Sequence, residues 1–291
     1  MAAADLPATT SAGALLATSG LPAAEARALL AEVLQARREQ LIAFPERAVD
    51  AGAAARFLRL TARRRAGEPL AYLLGRREFY GRDFVVTPAV LVPRPETELL
   101  VDLALEALRG RTGPRVLDLG TGSGCIAVSL ALERPDAQVV AVDTAAAALA
   151  VARDNAAALG ARVRFIESDW FAAVDGEFDL IVANPPYIAA DDPHLAALRH
   201  EPQRALTDQG DGLGCLRRIA CDAPAFLRAG GWLLLEHGHD QGAAVRALLA
   251  EAGLIAVTTV ADAGGRERVG CAQRPDSPQT ASATASAIPG G

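Results

Sequence analysis

The sequence predicts an α/β fold, a doubly wound, mainly parallel sheet of seven strands with an antiparallel last strand, preceded by a helical bundle and a β-hairpin. From Arg115 onward short apolar runs alternate with helix-length segments, as in a parallel sheet covered on both faces. Thr10 to Gly75, by contrast, reads as helical throughout. The last two strand candidates are separated only by Ala263-Gly264-Gly265, too short for a crossover, so that pair should run antiparallel.

Composition narrows the class. The chain has 291 residues, enough for one large or two modest domains, with 51% hydrophobic and 22% charged residues, ordinary for a soluble globular protein. A net charge of −6 argues against a broad nucleic-acid-binding face. Every basic side chain is Arg and none is Lys, which with abundant Ala points to compositional bias. Cys125, Cys215, Cys221 and Cys271 form no C-x-x-C pair and read as buried or semi-buried free thiols. No secretory leader and no membrane-spanning run is evident, so the cytoplasm is expected; a monomer is expected as well.

In chain order, residues 1–76 form the expected helical domain. Pro22 sits where a helix's first turn tolerates it, and Leu29, Leu30, Val33 and Leu34 recur at helical spacing. Pro45 interrupts, and a second helix carries Phe57, Leu58 and Leu60, with Arg63-Arg64-Arg65 as its solvated end. Residues 77–93 read as a hairpin connector, Phe79, Tyr80, Phe84 and Val85 flanking a Gly81-Arg82-Asp83 turn. Pro93 and Pro95 lead into a helix from about Glu96 to Leu108. Within 94–274 the strand candidates are Val116–Leu119, Val139–Val142, Val163–Ile166, Phe178–Ala183, Trp232–Glu236, Ile255–Val260 and Arg268–Ala272. Helices are expected over Ile126–Glu133, Ala145–Leu159 and Gln241–Ala252. Residues 275–291 are mostly Ser, Thr, Ala, Pro, Gln and Gly and read as a disordered tail.

Two stretches carry chemistry. Asp118-Leu119-Gly120-Thr121-Gly122-Ser123-Gly124 closes the first strand of the sheet and opens a helix, a loop whose glycines let a ligand approach the backbone. Such a loop alone fits NAD, FAD or S-adenosylmethionine. Asp143 ends the next strand, where a carboxylate can grip ribose hydroxyls or cap the following helix. Asp169-Trp170 follows the third strand on the same edge, and Trp170 offers either a face for a flat purine or a core aromatic. The second stretch is Leu180-Ile181-Val182-Ala183-Asn184-Pro185-Pro186-Tyr187, an apolar strand ending in a rigid polar corner. The prolines fix the backbone there, leaving the Asn184 amide and nearby carbonyls suited to gripping an incoming NH2 by both hydrogens. If the strand order follows the doubly wound rule, the first and fourth strands are neighbours, and loop and corner face one crevice.

D-L-G-T-G-S-G with an acidic residue ending the next strand resembles the class I, Rossmann-like S-adenosylmethionine-dependent methyltransferases. N-P-P-Y is similar to their amino-methylating branch. Arg77-Glu78-Phe79-Tyr80, Leu91-Val92-Pro93-Arg94-Pro95-Glu96-Thr97-Glu98, Ser168-Asp169-Trp170-Phe171, Asp192-Pro193-His194, Glu201-Pro202 and Leu235-Glu236-His237-Gly238 narrow the resemblance. Together they resemble the bacterial peptide chain release factor glutamine methyltransferases over nearly the whole chain. The resemblance implies S-adenosylmethionine as cofactor, held by Gly120, Thr121, Gly122, Ser123, Gly124, Asp143, Asp169 and Trp170, with Asn184 between cofactor and substrate. It implies as substrate the Gln of the Gly-Gly-Gln loop of release factors, held by Asn184, Pro185, Pro186 and Tyr187, with Asn184, Pro185 and Tyr187 in the catalytic role. The helical domain would recognise the protein substrate.

The alternative is an adenine or guanine amino methyltransferase acting on a flipped base in the same corner. The acidic balance and the lack of a long basic segment count against it. His194, His200, His237 and His239 match no common metal spacing, and no metal is expected.

Overall fold

The computed structural model describes residues 9–276; the terminal residues 1–8 and the expected tail from residue 277 onward lie outside the described residues. The chain divides into two compact units, the first reaching to Pro93 and also taking Pro193–Gln203, the second formed by the remainder.

The first unit is not helical throughout. Strand β1 (Thr9–Ser11) leads into α1 (Ala12–Thr18), α2 (Ala23–Leu34) and α3 (Arg38–Ala43), and β2 (Ala48–Asp50) leads into α4 (Ala51–Arg65) and α5 (Leu70–Leu74). The two strands pair antiparallel, Thr10 opposite Val49. Each ends in a helix cap: Ser11 Oγ accepts from Ala14 N at 3.2 Å and Asp50 Oδ1 from Ala53 N at 2.8 Å. The pairing therefore ties two helix starts together, in strands too short to show alternation in sequence. Leu29, Leu30, Leu41 and Phe57 fill the core between the helices. The arginine run at the end of α4 is not simply solvated: Arg64 pairs with Glu25 at 2.7 Å and Arg63 with Glu68.

The hairpin, β3 (Arg76–Phe79) and β4 (Arg82–Val85), turns one residue earlier than the sequence suggests. Phe79 opposes Arg82, leaving Tyr80 and Gly81 as the turn, both at positive φ (51° and 73°). That is the mirror-image turn whose twist matches paired strands, and it places Tyr80 where glycine is usual. Phe79 and Phe84 then meet edge to face, with ring centres 6.0 Å apart. In the same unit, buried Glu201 accepts from Val92 N through Oε2 at 3.0 Å, and the Arg199 guanidinium donates to the Ala66 carbonyl.

The second unit begins with a 3-10 turn, Pro95–Thr97, and α6 (Glu98–Ala107). It continues through β5 (Arg115–Leu119), α7 (Cys125–Glu133), β6 (Gln138–Asp143), α8 (Ala146–Leu159), β7 (Val163–Glu167) and β8 (Phe178–Ala183). It ends with α9 (Gly214–Asp222), β9 (Leu227–Glu236), α10 (Gly242–Glu251), β10 (Ile255–Ala261) and β11 (Glu267–Gln273). The sheet order is β10-β11-β9-β8-β5-β6-β7, with β5 to β9 parallel and β11 antiparallel to both neighbours. This is the expected seven-stranded sheet with its antiparallel last strand, and β5 and β8 lie side by side at its centre. β8 is buried from end to end, as its continuous apolar run requires. Opposite the carboxyl edge, Asp179 holds the start of β5 through Arg115 N (2.8 Å) and ion-pairs with Arg111 and Arg228. Burial would raise its pKa, but that backbone donor and the two arginines together hold its carboxyl below the usual range.

Candidate active site

In the parallel register Leu119 pairs with Ala183, so Gly120 and Asn184, the next residues of the two strands, leave the sheet side by side. This edge carries the carboxyl ends of the strands, where doubly wound folds bind ligands.

The glycine loop is fixed from several sides. Thr121 N donates to the Val142 carbonyl (2.9 Å) and its hydroxyl to Asp118 Oδ2 (2.7 Å). Asn155 of α8, buried, donates to the Ser123 carbonyl at 2.9 Å. Gly124 begins α7 at φ 82°, and a Cβ there would lie 3.1 Å from the Ala152 Cβ, so α8 packs directly on the loop. Gly122 differs: nothing lies within 4 Å of where its Cβ would be, so that side of the loop is open to a ligand.

Asp143 braces the start of the following helix, one of the two roles its position suggests. Oδ1 accepts from Ala145 N and Oδ2 from Gly122 N, each at 2.9 Å. It therefore braces Ala145, the N-cap residue of α8, and ties that helix start to the glycine loop. Each oxygen keeps a lone pair for hydroxyl donors. Trp170, half-buried at φ 51°, packs on the core below the sheet edge, and its ring lies 3.5 Å from where a Gly120 Cβ would be. Asp169 is exposed, both carboxylate oxygens engaged by Arg218 of α9 at 2.9 and 3.0 Å.

At the corner, Pro185 is buried while Asn184, Pro186 and Tyr187 are half-buried. Asn184 Nδ2 donates to the Thr97 hydroxyl at 3.1 Å. Tyr187 reaches Glu236 Oε1 with its phenol at 3.4 Å, and its carbonyl accepts from Gln241 Nε2 at 2.9 Å. Burial, reinforced by the Glu236 charge, raises the Tyr187 phenol well above its ordinary pKa, so it stays a neutral donor.

Two fully buried carboxyls flank these groups. Asp118 is pushed up to about 7 by burial, against the opposing pull of the Thr121 hydroxyl. Its Oδ1 has no close hydrogen-bond partner among the described residues. Glu236, at the end of β9, is likewise raised to about 7 by burial, although the Thr97 hydroxyl, Arg268 and Tyr187 favour its charged form. Next to it, burial holds the His237 imidazole below its usual value, with Nδ1 2.7 Å from the Gly238 carbonyl. Among the described residues no group of three or more His, Cys, Asp or Glu side chains is arranged to hold a metal ion. Of the cysteines, Cys125 and Cys271 are buried and Cys215 half-buried, but Cys221 is exposed on α9, against expectation.

In the sequence Thr97 and Glu236 stand only inside longer motifs, and nothing there assigns either a task. A signal was present for Glu236: it is the acidic residue that closes the apolar run Trp232–Leu235 at the sheet's carboxyl edge.

Comparison with known proteins bears on this geometry. Residues 96–251, more than half of the chain, match the family described as "Methyltransferase small domain", and residues 8–75 match "PrmC N-terminal domain". The release factor glutamine methyltransferase of Burkholderia pseudomallei is 54% identical over 272 residues, covering 90% of this chain and 95% of that protein. Its counterpart in Bordetella pertussis is 55% identical over 259 residues, covering 88% and 96%. The chain belongs to the release factor glutamine methyltransferase family.

A solved methyltransferase from Pyrococcus furiosus shares the fold, with TM-score 0.52 and 19% identity over 74% of this chain and 97% of that one. So does a Thermus thermophilus 16S rRNA N2 methyltransferase solved with AdoMet and guanosine, with TM-score 0.51 and 24% identity over 68% of this chain and 49% of that one. The chain is thus a methyltransferase, an enzyme that needs a bound methyl donor. The loop fits such a group: Gly122 leaves room where a side chain would stand, and Asp118 keeps a buried acceptor unpaired beside it. Among the described residues no helix is long and apolar enough to cross a membrane.

Proposed function

We propose that the chain transfers a methyl group from S-adenosylmethionine to the side-chain amide nitrogen of the Gln in the Gly-Gly-Gln loop of peptide chain release factors. The observation that carries this reading is the register of β5 with β8, which sets the glycine loop beside the Asn184 corner. The cofactor, when bound, supplies a methyl group activated by sulfonium. Gly120, Thr121, Gly122, Ser123 and Gly124 hold it from the backbone side, Asp143 takes ribose hydroxyls, and Trp170 offers its ring to the adenine. Asp169, already paired with Arg218, borders the same edge.

An amide nitrogen is a weak nucleophile because its lone pair is delocalised into the carbonyl. Asn184 Oδ1 and the Pro185 carbonyl accept its two hydrogens, fixing the nitrogen and favouring the positive charge that develops on it as the N–CH3 bond forms. The S–CH3 bond breaks to leave a neutral thioether, and the extra N–H proton passes to solvent. Pro186 keeps the corner rigid, and Tyr187 packs against the planar amide and excludes water. This is positioning and electrostatics, without a strong base, and the neutral Tyr187 phenol is consistent with it. The N-terminal unit, which among the described residues carries no comparable constellation, engages the release factor.

Incubation with methyl-labelled S-adenosylmethionine and either release factor or DNA and RNA, followed by peptide mass spectrometry, tests the assignment. Label on the Gly-Gly-Gln glutamine is expected. Label on nucleic acid alone would replace this function with base methylation.

A further inference from the structure

We infer that Thr97 and Glu236 form a positioning pair that decides which end of the Asn184 side-chain amide is presented to the reacting nitrogen. This deepens, and rests on, the proposed role of Asn184 as the amide-gripping residue. The oxygen and nitrogen of a carboxamide are nearly the same size, so its hydrogen-bond partners choose its orientation. Here the partner is the Thr97 hydroxyl, 3.1 Å from Asn184 Nδ2. A hydroxyl has a single proton. An ionised Glu236, which can only accept, draws that proton and leaves Thr97 a lone pair to offer. Only the NH2 of Asn184 can use it, and Oδ1 is thereby turned away as the acceptor the substrate needs.

Burial makes the arrangement decisive. Thr97 is 2% and Glu236 1% exposed, so water cannot stand in for either. The same carboxylate receives the Tyr187 phenol at Oε1, so one group orders both the first and last residues of the corner. Its Oε2 has no hydrogen-bond partner among the described residues. When Glu236 is protonated it can donate to Thr97 instead. The Thr97 proton is then free to turn to Asn184 Oδ1, the amide flips, and NH2 meets NH2.

The groups facing Glu236 are Thr97 and Glu96 from the turn before α6, Tyr187 from the corner, Arg268 from β11 and the Cys125 thiol at the start of α7. Arg268 favours the charged form and Glu96 opposes it, whereas Cys125, itself pushed up to about 12, stays neutral. Turnover should therefore rise with pH as Glu236 ionises.

The test compares the intact protein with Glu236→Gln, Thr97→Val and Thr97→Ser, on release factor and S-adenosylmethionine between pH 6 and 9. Glu236→Gln and Thr97→Val should each lower kcat by roughly 10- to 100-fold, with cofactor Kd and substrate KM nearly unchanged. Glu236→Gln should also lose the acidic limb of the kcat profile, and the double variant should be no worse than either single one. Thr97→Ser, which keeps the hydroxyl, should restore most of kcat. In nitrogen-15 spectra the Asn184 side-chain NH2 signal should move with pH in the unaltered protein and stay fixed in Glu236→Gln. An unchanged kcat and pH profile in Glu236→Gln, or equal losses in Thr97→Ser and Thr97→Val, would overturn the pair's role. So would a loss of cofactor binding that matches the loss of kcat, since that is structural damage. Failure of the unaltered protein to methylate the glutamine would instead remove the proposed function itself, and this pair's role with it.

Discussion

Gly212 lies so close to Tyr187 that a Cβ added to it would stand 2.4 Å from the Tyr187 carbonyl oxygen and 3.0 Å from Gln241 Nε2. Its φ of 77° is also one that side chains avoid. The loop around it is drawn tight by Asp208, whose carboxylate accepts from the backbone N–H groups of Gly210, Gly212 and Gly214. The back of the N-P-P-Y corner is thus braced by a glycine loop distant from it in sequence. Gly212→Ala should destabilise the fold by about 1–3 kcal/mol, from left-handed strain plus the clash. Because the clash falls on the Tyr187 carbonyl, kcat should drop while cofactor affinity holds. Thermal denaturation and steady-state kinetics on the same preparation check both halves.

Asp143 has a backbone donor on each carboxylate oxygen. Asp143→Ala should therefore loosen the glycine loop and remove the ribose acceptor together, weakening S-adenosylmethionine by about 1.5–3 kcal/mol, or roughly 10- to 100-fold in Kd. Asp143→Asn keeps one acceptor and should fall between the two. Calorimetric titration of each variant measures it.

The buried Glu236 carboxyl makes stability and activity pull apart. Its folded pKa, about 7, stands above its ordinary value of 4.5. A group shifted upward contributes stability that is complete below the unfolded pKa and is lost as pH rises through the folded one. The unaltered protein is therefore penalised above pH 7, and Glu236→Gln escapes that penalty. Calorimetry should find Glu236→Gln more stable at pH 8, by up to ~3 kcal/mol at about 1.4 kcal/mol per pKa unit, with the difference vanishing near pH 4.5. A variant more stable yet slower would mark a site that trades stability for chemistry.

Much of this architecture is legible in the residues. The seven strands announce themselves as apolar runs, and the short link at Ala263-Gly264-Gly265 requires the antiparallel β11. The nearness of Gly120 and Asn184 follows from the doubly wound strand order alone, because it depends on backbone topology and not on side-chain detail. What escapes is of another kind. β1 and β2 are backbone pairings of three residues each, with no periodicity to read. The hairpin turn falls on Tyr80-Gly81 because strand twist overrides the cost of positive φ at a tyrosine, a tertiary preference that local propensity does not carry. The contact between Thr97 and Asn184, 87 residues apart, and the shared use of Glu236 exist only once β8 and β9 lie side by side beneath the turn before α6.

The sharpest measurement is turnover and cofactor binding in Asn184→Ala, with methyl-labelled S-adenosylmethionine and a release factor as substrate. The account predicts that kcat falls by about 10²-fold or more while the cofactor Kd changes little, because the lost amide grips the acceptor nitrogen and not the glycine loop. Equal turnover in Asn184→Ala and the unaltered protein would contradict it.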